Sequence, residues 1–192
     1  LLTDPFDKTL GYALPNESVD IVTISHNHFD HNNYHSLPGI PRIIDSLGNH
    51  QVGNIKIRGI LSFHDSEYGA KRGTNIIFVI EMSSYTICHL GDLGHILDEK
   101  TLENIGPVDI LMIPIGGNYT IDAEEAALVA KAINSRIIFP MHYKTNFTLL
   151  TLEGAENFIV KMNKVEKIND STIEISYLPT DYNNVKLLTI KS

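Results

Sequence analysis

Four potential metal ligands stand within six consecutive residues, His26-Asn27-His28-Phe29-Asp30-His31, directly after the apolar run Val19–Ile24. That run reads as a strand, because Val and Ile suit a pleated, half-buried surface, and the polar residues from Ser25 onward mark its end. In extended backbone, residues two apart project to the same side, so His26 and His28 can reach one cation. A turn or short helix after His28 would swing Asp30 and His31 toward a second. Imidazole together with carboxylate suits zinc and also accepts manganese or iron. A histidine-rich surface loop is the alternative origin of such a run. At the His and Asp content of this chain, His-x-His-x-Asp-His arises by composition in about one chain in a thousand.

The remaining composition narrows the function classes. A length of 192 residues with 43% hydrophobic content suits one domain, spanning 1–192, with a sizeable core. No stretch of 18 apolar residues suggests a membrane span. A net charge of -8 argues against a nucleic-acid backbone as partner, although bound divalent cations would offset part of it locally. The single cysteine, Cys88, excludes an internal disulfide framework and fits a cytoplasmic location. The opening Leu1-Leu2-Thr3-Asp4-Pro5, without a methionine, reads as the end of a buried strand. The expectation is that an N-terminal segment precedes it.

Strand-like runs rich in Ile, Val, Phe and Tyr continue at Ile55–Phe63, Asn75–Glu81 and Tyr85–Leu90, broken near Gly73 and at Ser83-Ser84. Val108–Ile113 is continuously apolar, as in a strand buried on both faces, and it stops at Pro114 and Gly116-Gly117. Asp122 and Glu125 form a capping box. They precede Ala126, Val129, Ala130 and Ile133 at helical spacing. Arg136–Pro140 reads as a strand, Ala155, Phe158, Ile159 and Met162 as one face of a second helix, and Ile173–Tyr177 and Val185–Ile190 as closing strands. Strands with interspersed helices imply an α/β or α+β layered fold.

The histidine run resembles the signature loop of the metallo-β-lactamase superfamily, and the resemblance extends along nearly the whole chain. Asp4, in Leu2-Thr3-Asp4-Pro5, is similar to an aspartate that supports the metal loop in that family. His64 in Ser62-Phe63-His64-Asp65, Asp92 in Leu90-Gly91-Asp92, and His142 in Pro140-Met141-His142-Tyr143 are similar to the remaining ligands. The resemblance implies an αββα sandwich, here lacking its first N-terminal strands. It also implies two divalent ions, zinc first, with manganese and iron admitted. One ion would sit on His26, His28 and His64, the other on Asp30, His31 and His142, with Asp92 shared. Gly-Asp and Pro-Met-His are weak alone; each of these residues could instead be a turn former or a strand-end polar group. The rim segments Arg72-Gly73-Thr74-Asn75 and Gly116-Gly117-Asn118-Tyr119 resemble the ascorbate-phosphate lactonase-like branch. There the Gly-Gly amides would meet an anionic substrate.

The implied activity is hydrolysis of a small ester, lactone or phosphodiester, because two adjacent divalent ions lower the pKa of a shared water toward ~7. Asp30 is the first candidate catalytic residue and His89 the second. His89 is also readable as a satisfied core histidine. Asp65 is a candidate to fix the tautomer of His64. Cys88 alternates with His89 and reads as a buried apolar group. His35, His50 and His95 have no motif context. The partner would be a small, anionic molecule, with a homo-oligomer compatible by base rate. An iron-dependent oxidoreductase is the competing reading, as is a metal-free binding member; His28 favours hydrolysis, because di-iron members of the fold carry a carboxylate there.

Overall fold

β1 (Leu2–Thr3) lies parallel to β2 (Ile21–Thr23), which lies parallel to β3 (Arg42–Ile44), giving a three-stranded sheet. The computed structural model describes residues 1–13 and 16–190. Among these, a second sheet has eight strands. They are β4 (Gly48–Val52), β5 (Ile55–Phe63), β6 (Thr74–Met82), β7 (Tyr85–His89), β8 (Ile110–Pro114), β9 (Ile137–Met141), β10 (Lys164–Ile168) and β11 (Asn184–Leu188). Their spatial order is β10-β11-β9-β8-β7-β6-β5-β4.

β4 to β7 form an antiparallel meander, and β8, β9, β11 and β10 continue in parallel. The β6–β7 hairpin closes on Ser83 (φ 50) and Ser84 (φ 66), with Met82 opposite Tyr85. Two successive positive φ values match the right-handed twist of a two-residue hairpin. Because β5 and β7 are both antiparallel to β6, they run the same way, and β8 and β9 follow them. The carboxyl ends of β5, β7, β8 and β9 therefore share one edge of the sheet.

Helices α1 (Glu99–Ile105), α2 (Ala123–Ile133) and α3 (Glu156–Ile159) complete the regular structure. The expected capping box is present on α2: Asp122 accepts from Glu124 N and Glu125 N, and Glu125 reaches back to the Asp122 amide. Ala126, Val129 and Ala130 are buried as their spacing requires, in a core cluster with Leu111, Ile113 and Ile138 from the large sheet and Phe158 from α3. A second core, Ile21, Ile44, Ile57, Phe78 and Ile80, fills the space between the sheets. A third, Val22, Ile24 and Leu37, lies on the other face of the small sheet. There the cover is a short 3-10 helix, Tyr34–Ser36, so the outer helical layer expected on that side is reduced to one turn. No helix among the described residues is long and apolar enough to cross a membrane.

One expectation fails at the C-terminal end. Ile173–Tyr177 is irregular, and Lys164–Ile168 is the strand instead. Ile173 and Ile175 are half-buried between exposed neighbours, as alternation predicts, but they pair with no strand of the described sheet. Period-two alternation decides which side faces inward and says nothing about a hydrogen-bonding partner. Lys164–Ile168 is an edge strand with three exposed positions, so charged residues are tolerated and the pattern is hidden. The sequence reading also missed β3, β4 and α1, and α3 is shorter than its apolar spacing implied. A cavity of about 800 Å³ borders β1 and the neighbouring face of the large sheet, where Ile87, Ile110, Met112 and Phe139 line it.

Candidate metal centre

Five strand ends build one cluster. Asp4 follows β1, the His26–His31 run follows β2, His64 follows β5, Asp92 lies three residues after β7, and His142 follows β9. All five strands present their carboxyl ends to the same cleft between the sheets, a place where strand geometry leaves side chains free to converge. After His28 the chain turns, with His31 N and Asn32 N both donating to His28 O at 3.0 and 3.1 Å. That turn brings Asp30 and His31 back over the site, as expected. Asp4 (φ 44) and His142 (φ 49) adopt left-handed backbone, a sparsely populated conformation for residues other than glycine that surrounding contacts must hold. Gly116 makes room for the second: a Cβ there would lie 2.2 Å from the His142 carbonyl oxygen.

Ligand atoms of His26, His28 and His64 gather within 4.8 Å of one another, and so do those of Asp30, His31 and His142. Each set could hold one cation. These are the two trios the sequence pointed to. Asp92 stands between them. Its Oδ2 is 3.2 Å from His64 Nε2, 3.5 Å from His142 Nε2 and 3.8 Å from His26 Nε2, and its Oδ1 is 3.4 Å from His31 Nε2. Asp92 Oδ1 and His26 Nε2 are buried with no hydrogen-bond partner. Unsatisfied polar atoms this deep are costly, and a cation would satisfy both. The donor set therefore fits a metal centre.

Hydrogen bonds fix the tautomers. Ser25 N donates to Asp4 Oδ1 at 2.7 Å and Ser25 Oγ donates to Asp4 Oδ2 at 2.5 Å. With its proton committed, that hydroxyl accepts from His26 Nδ1 at 2.9 Å, leaving Nε2 unprotonated and facing the cluster. His31 Nδ1 donates to Asp4 Oδ2 at 2.9 Å, which turns Nε2 toward Asp92. Orientation of a metal-binding imidazole through its other nitrogen is the usual device of such sites. Asp4 thus ties the strand end of Ser25 to the ring of His31. Ser25 was not singled out in the sequence, where a serine at a strand end carries no signal of its own.

Burial sets the charges. It pushes the His26 pKa down to about 3, aided by the neighbouring His31, so this ring is neutral and ready to ligate. Burial also lowers His28, His89 and His142. His31 is the exception. Burial opposes its charge, yet Asp92 and Asp4 together raise it well above the ordinary imidazole value. Burial likewise opposes ionisation of Asp92, but His31 and His142 hold its carboxyl well below the usual range.

Other candidates fall outside the cluster. Asp65 does not orient His64; its carboxylate accepts from the amides of Glu67, Gly69, Lys71 and Arg72 at 2.8–2.9 Å and ties off its own loop. The Gly117 amide already donates to Ile121 O, so it is not a free anion donor; Gly116 admits the His142 carbonyl and Gly117 takes a left-handed turn (φ 59). His89 is buried behind Asp4, its Nε2 4.0 Å from Asp4 Oδ2. Cys88 faces the core, fully buried, and burial lifts its thiol pKa to about 12. His35 is exposed, His50 bonds Ser46 O, and His95 accepts from Phe63 N.

Comparison with known proteins places this arrangement. Residues 1–142 match the β-lactamase superfamily domain. A UPF0173 metal-dependent hydrolase from Thermoplasma acidophilum is 31% identical over 171 residues, covering 76% of both chains. One from Thermococcus onnurineus is 29% identical over 202 residues, covering 86% of this chain and 90% of its own. A crystal structure from Thermotoga maritima, of a metallo-β-lactamase superfamily protein proposed to be a Zn-dependent hydrolase, superposes with a TM-score of 0.82. It has 37% identity and covers 97% of this chain and 88% of the other. The sandwich, the convergent strand ends and these relatives agree: the chain belongs to the metallo-β-lactamase superfamily, within the UPF0173 family of metal-dependent hydrolases.

Proposed function

We propose that this hydrolase is binuclear, with His26, His28 and His64 on one ion, Asp30, His31 and His142 on the other, and Asp92 shared. The observation that carries this reading is the position of Asp92, within 3.8 Å of imidazoles from both trios. A carboxylate serving one ion would need only one such neighbourhood. Zinc is the first choice by ligand chemistry, with manganese and iron admitted by the same atoms. Bound metal would supply Lewis acidity and an activated water.

The residues of the chain set the rest. Asp30, at 3.7 Å from His31 Nε2 and bordering the cavity, is placed to orient a nucleophilic water and accept its proton. His89 acts through Asp4, as a positioning residue rather than one that touches substrate. The Arg72 guanidinium lies 4.9 Å over the Tyr119 ring and donates to Asn118 O at 3.1 Å. The resemblance of the segments around Arg72 and Gly116 to the lactonase-like branch supports a small anionic ester, lactone or phosphodiester as substrate, with lactones the first class to assay.

The test combines elemental analysis with activity. Protein purified without chelator, then loaded with zinc, manganese or iron, is assayed against lactones, thioesters and phosphodiesters. About two ions per chain with turnover of one class is the expected result. One ion per chain at full activity would overturn the binuclear reading. Iron without hydrolysis would move the assignment to redox chemistry.

A further inference from the structure

Asn75 stands in the sequence among rim residues, in Arg72-Gly73-Thr74-Asn75, yet its side chain is wholly buried. Each polar atom of its carboxamide is engaged at a strand end. Nδ2 donates to Ser62 Oγ at 2.7 Å and to Leu90 O at 2.9 Å, and Oδ1 accepts from the Asp92 amide at 3.0 Å. Ser62 Oγ in turn donates to the Asn75 carbonyl at 3.1 Å. The next residue, Ile76, donates its amide to Ser25 O at 2.9 Å. One short segment therefore joins the ends of β2, β5 and β7, which carry His26, His64 and Asp92.

The contact is built with little tolerance. Gly91 (φ +56) faces the carboxamide, and a Cβ there would lie 2.4 Å from Asn75 Oδ1 and 2.6 Å from Ser25 Cβ. Only a bare backbone fits between the two. Asparagine is also the matching chemistry, since one oxygen faces an N–H and one NH2 faces two oxygens. Aspartate would set an oxygen against the Leu90 carbonyl, and an apolar residue would strand both backbone groups.

We propose that Asn75 is a positioning residue of the metal centre, fixing the backbone that carries Asp92 in register with His64 and His26. It touches neither the Asp92 carboxylate nor any imidazole, so it acts on metal affinity through geometry. This inference rests on the reading of Asp92 as a ligand.

The experiment measures zinc affinity by competition with a chromophoric chelator, alongside the unfolding midpoint of the metal-free protein. The visible spectrum of the cobalt-substituted protein is recorded as well. Asn75→Ala is expected to weaken zinc about tenfold or more, as loss of a ligand-orienting partner does, and to change the cobalt spectrum. Asn75→Asp, which keeps the volume and the oxygen facing the Asp92 amide, should recover part of that affinity. Ile77→Ala, a buried truncation on the same strand, should lower the midpoint while leaving zinc affinity within about twofold. Zinc affinity in Asn75→Ala no weaker than in Ile77→Ala would overturn the proposal. If Asn75→Ala does not fold, Asn75→Asp against Ile77→Ala makes the same comparison. Asp92→Ala separates the two readings: native affinity there would remove Asp92 from the ligand set, whereas loss there with native affinity in Asn75→Ala would remove only the role of Asn75.

Discussion

Asp92 illustrates how one carboxylate can be held ionised without solvent. It is 2% exposed, faces four imidazoles, and stays deprotonated because His31 carries a proton between it and Asp4. That proton occupies the nitrogen a cation needs. A raised pKa means that His31 stabilises the metal-free fold at low pH, and that this contribution fades as pH rises through the folded value. Zinc added to metal-free protein near neutral pH should therefore release protons, and its affinity should fall as pH falls. A pH-indicator titration in weak buffer checks both. Asp92→Ala should lose bound metal by elemental analysis, while His35→Ala, at an exposed position, should keep it. The candidate ligands were legible in the sequence as histidines and aspartates at or just beyond the ends of apolar runs, and the fold brings them together. Ser25, Asp65 and Asn75 were not, or were read for the wrong task. Asp65 bonds backbone amides, Asn75 an amide, a carbonyl and the Ser62 hydroxyl, and Ser25 the side chains of Asp4 and His26; none of these pairings leaves a trace in residue type.

At the scale of elements, strongly patterned segments were legible and weakly patterned ones were not. The helix from Ala123 carried its cap, its box and its apolar face in eleven residues. Asp122→Ala should cost about 1 kcal/mol of stability by denaturant unfolding without altering metal content, since the helix packs on the side of the large sheet that carries no ligand. Strand β7 was legible in a finer sense, because alternation separates Cys88 from His89. The thiol, buried and raised to about 12, should resist thiol reagents in the native protein and react promptly once denaturant is added. Fast native labelling would place Cys88 on the wrong face. The edge strand Lys164–Ile168 was invisible because its charged residues are what an exposed edge requires. Ile173–Tyr177 misled because burial by a cavity wall leaves the same alternation as burial in a sheet.

For the molecule as a whole, the unequal sheets matter most. Among the described residues three strands face eight, and the apolar wall from Ile87 to Phe139 lines the cavity. An apolar face of that size should bind a hydrophobic dye such as ANS in the native state, and Met112→Glu should reduce the signal. Absence of any enhancement would show the face to be closed in solution. The convergence of strand ends has a further meaning in time. The candidate ligands begin at His26 and finish at His142, so a nascent chain that stops short of His142 has not supplied a complete set. Contacts that join distant parts of a chain form late, since their loops must close first. On the binuclear reading, the second ion waits for β9 to take its place, and a chain stalled earlier holds at most the trio of His26, His28 and His64.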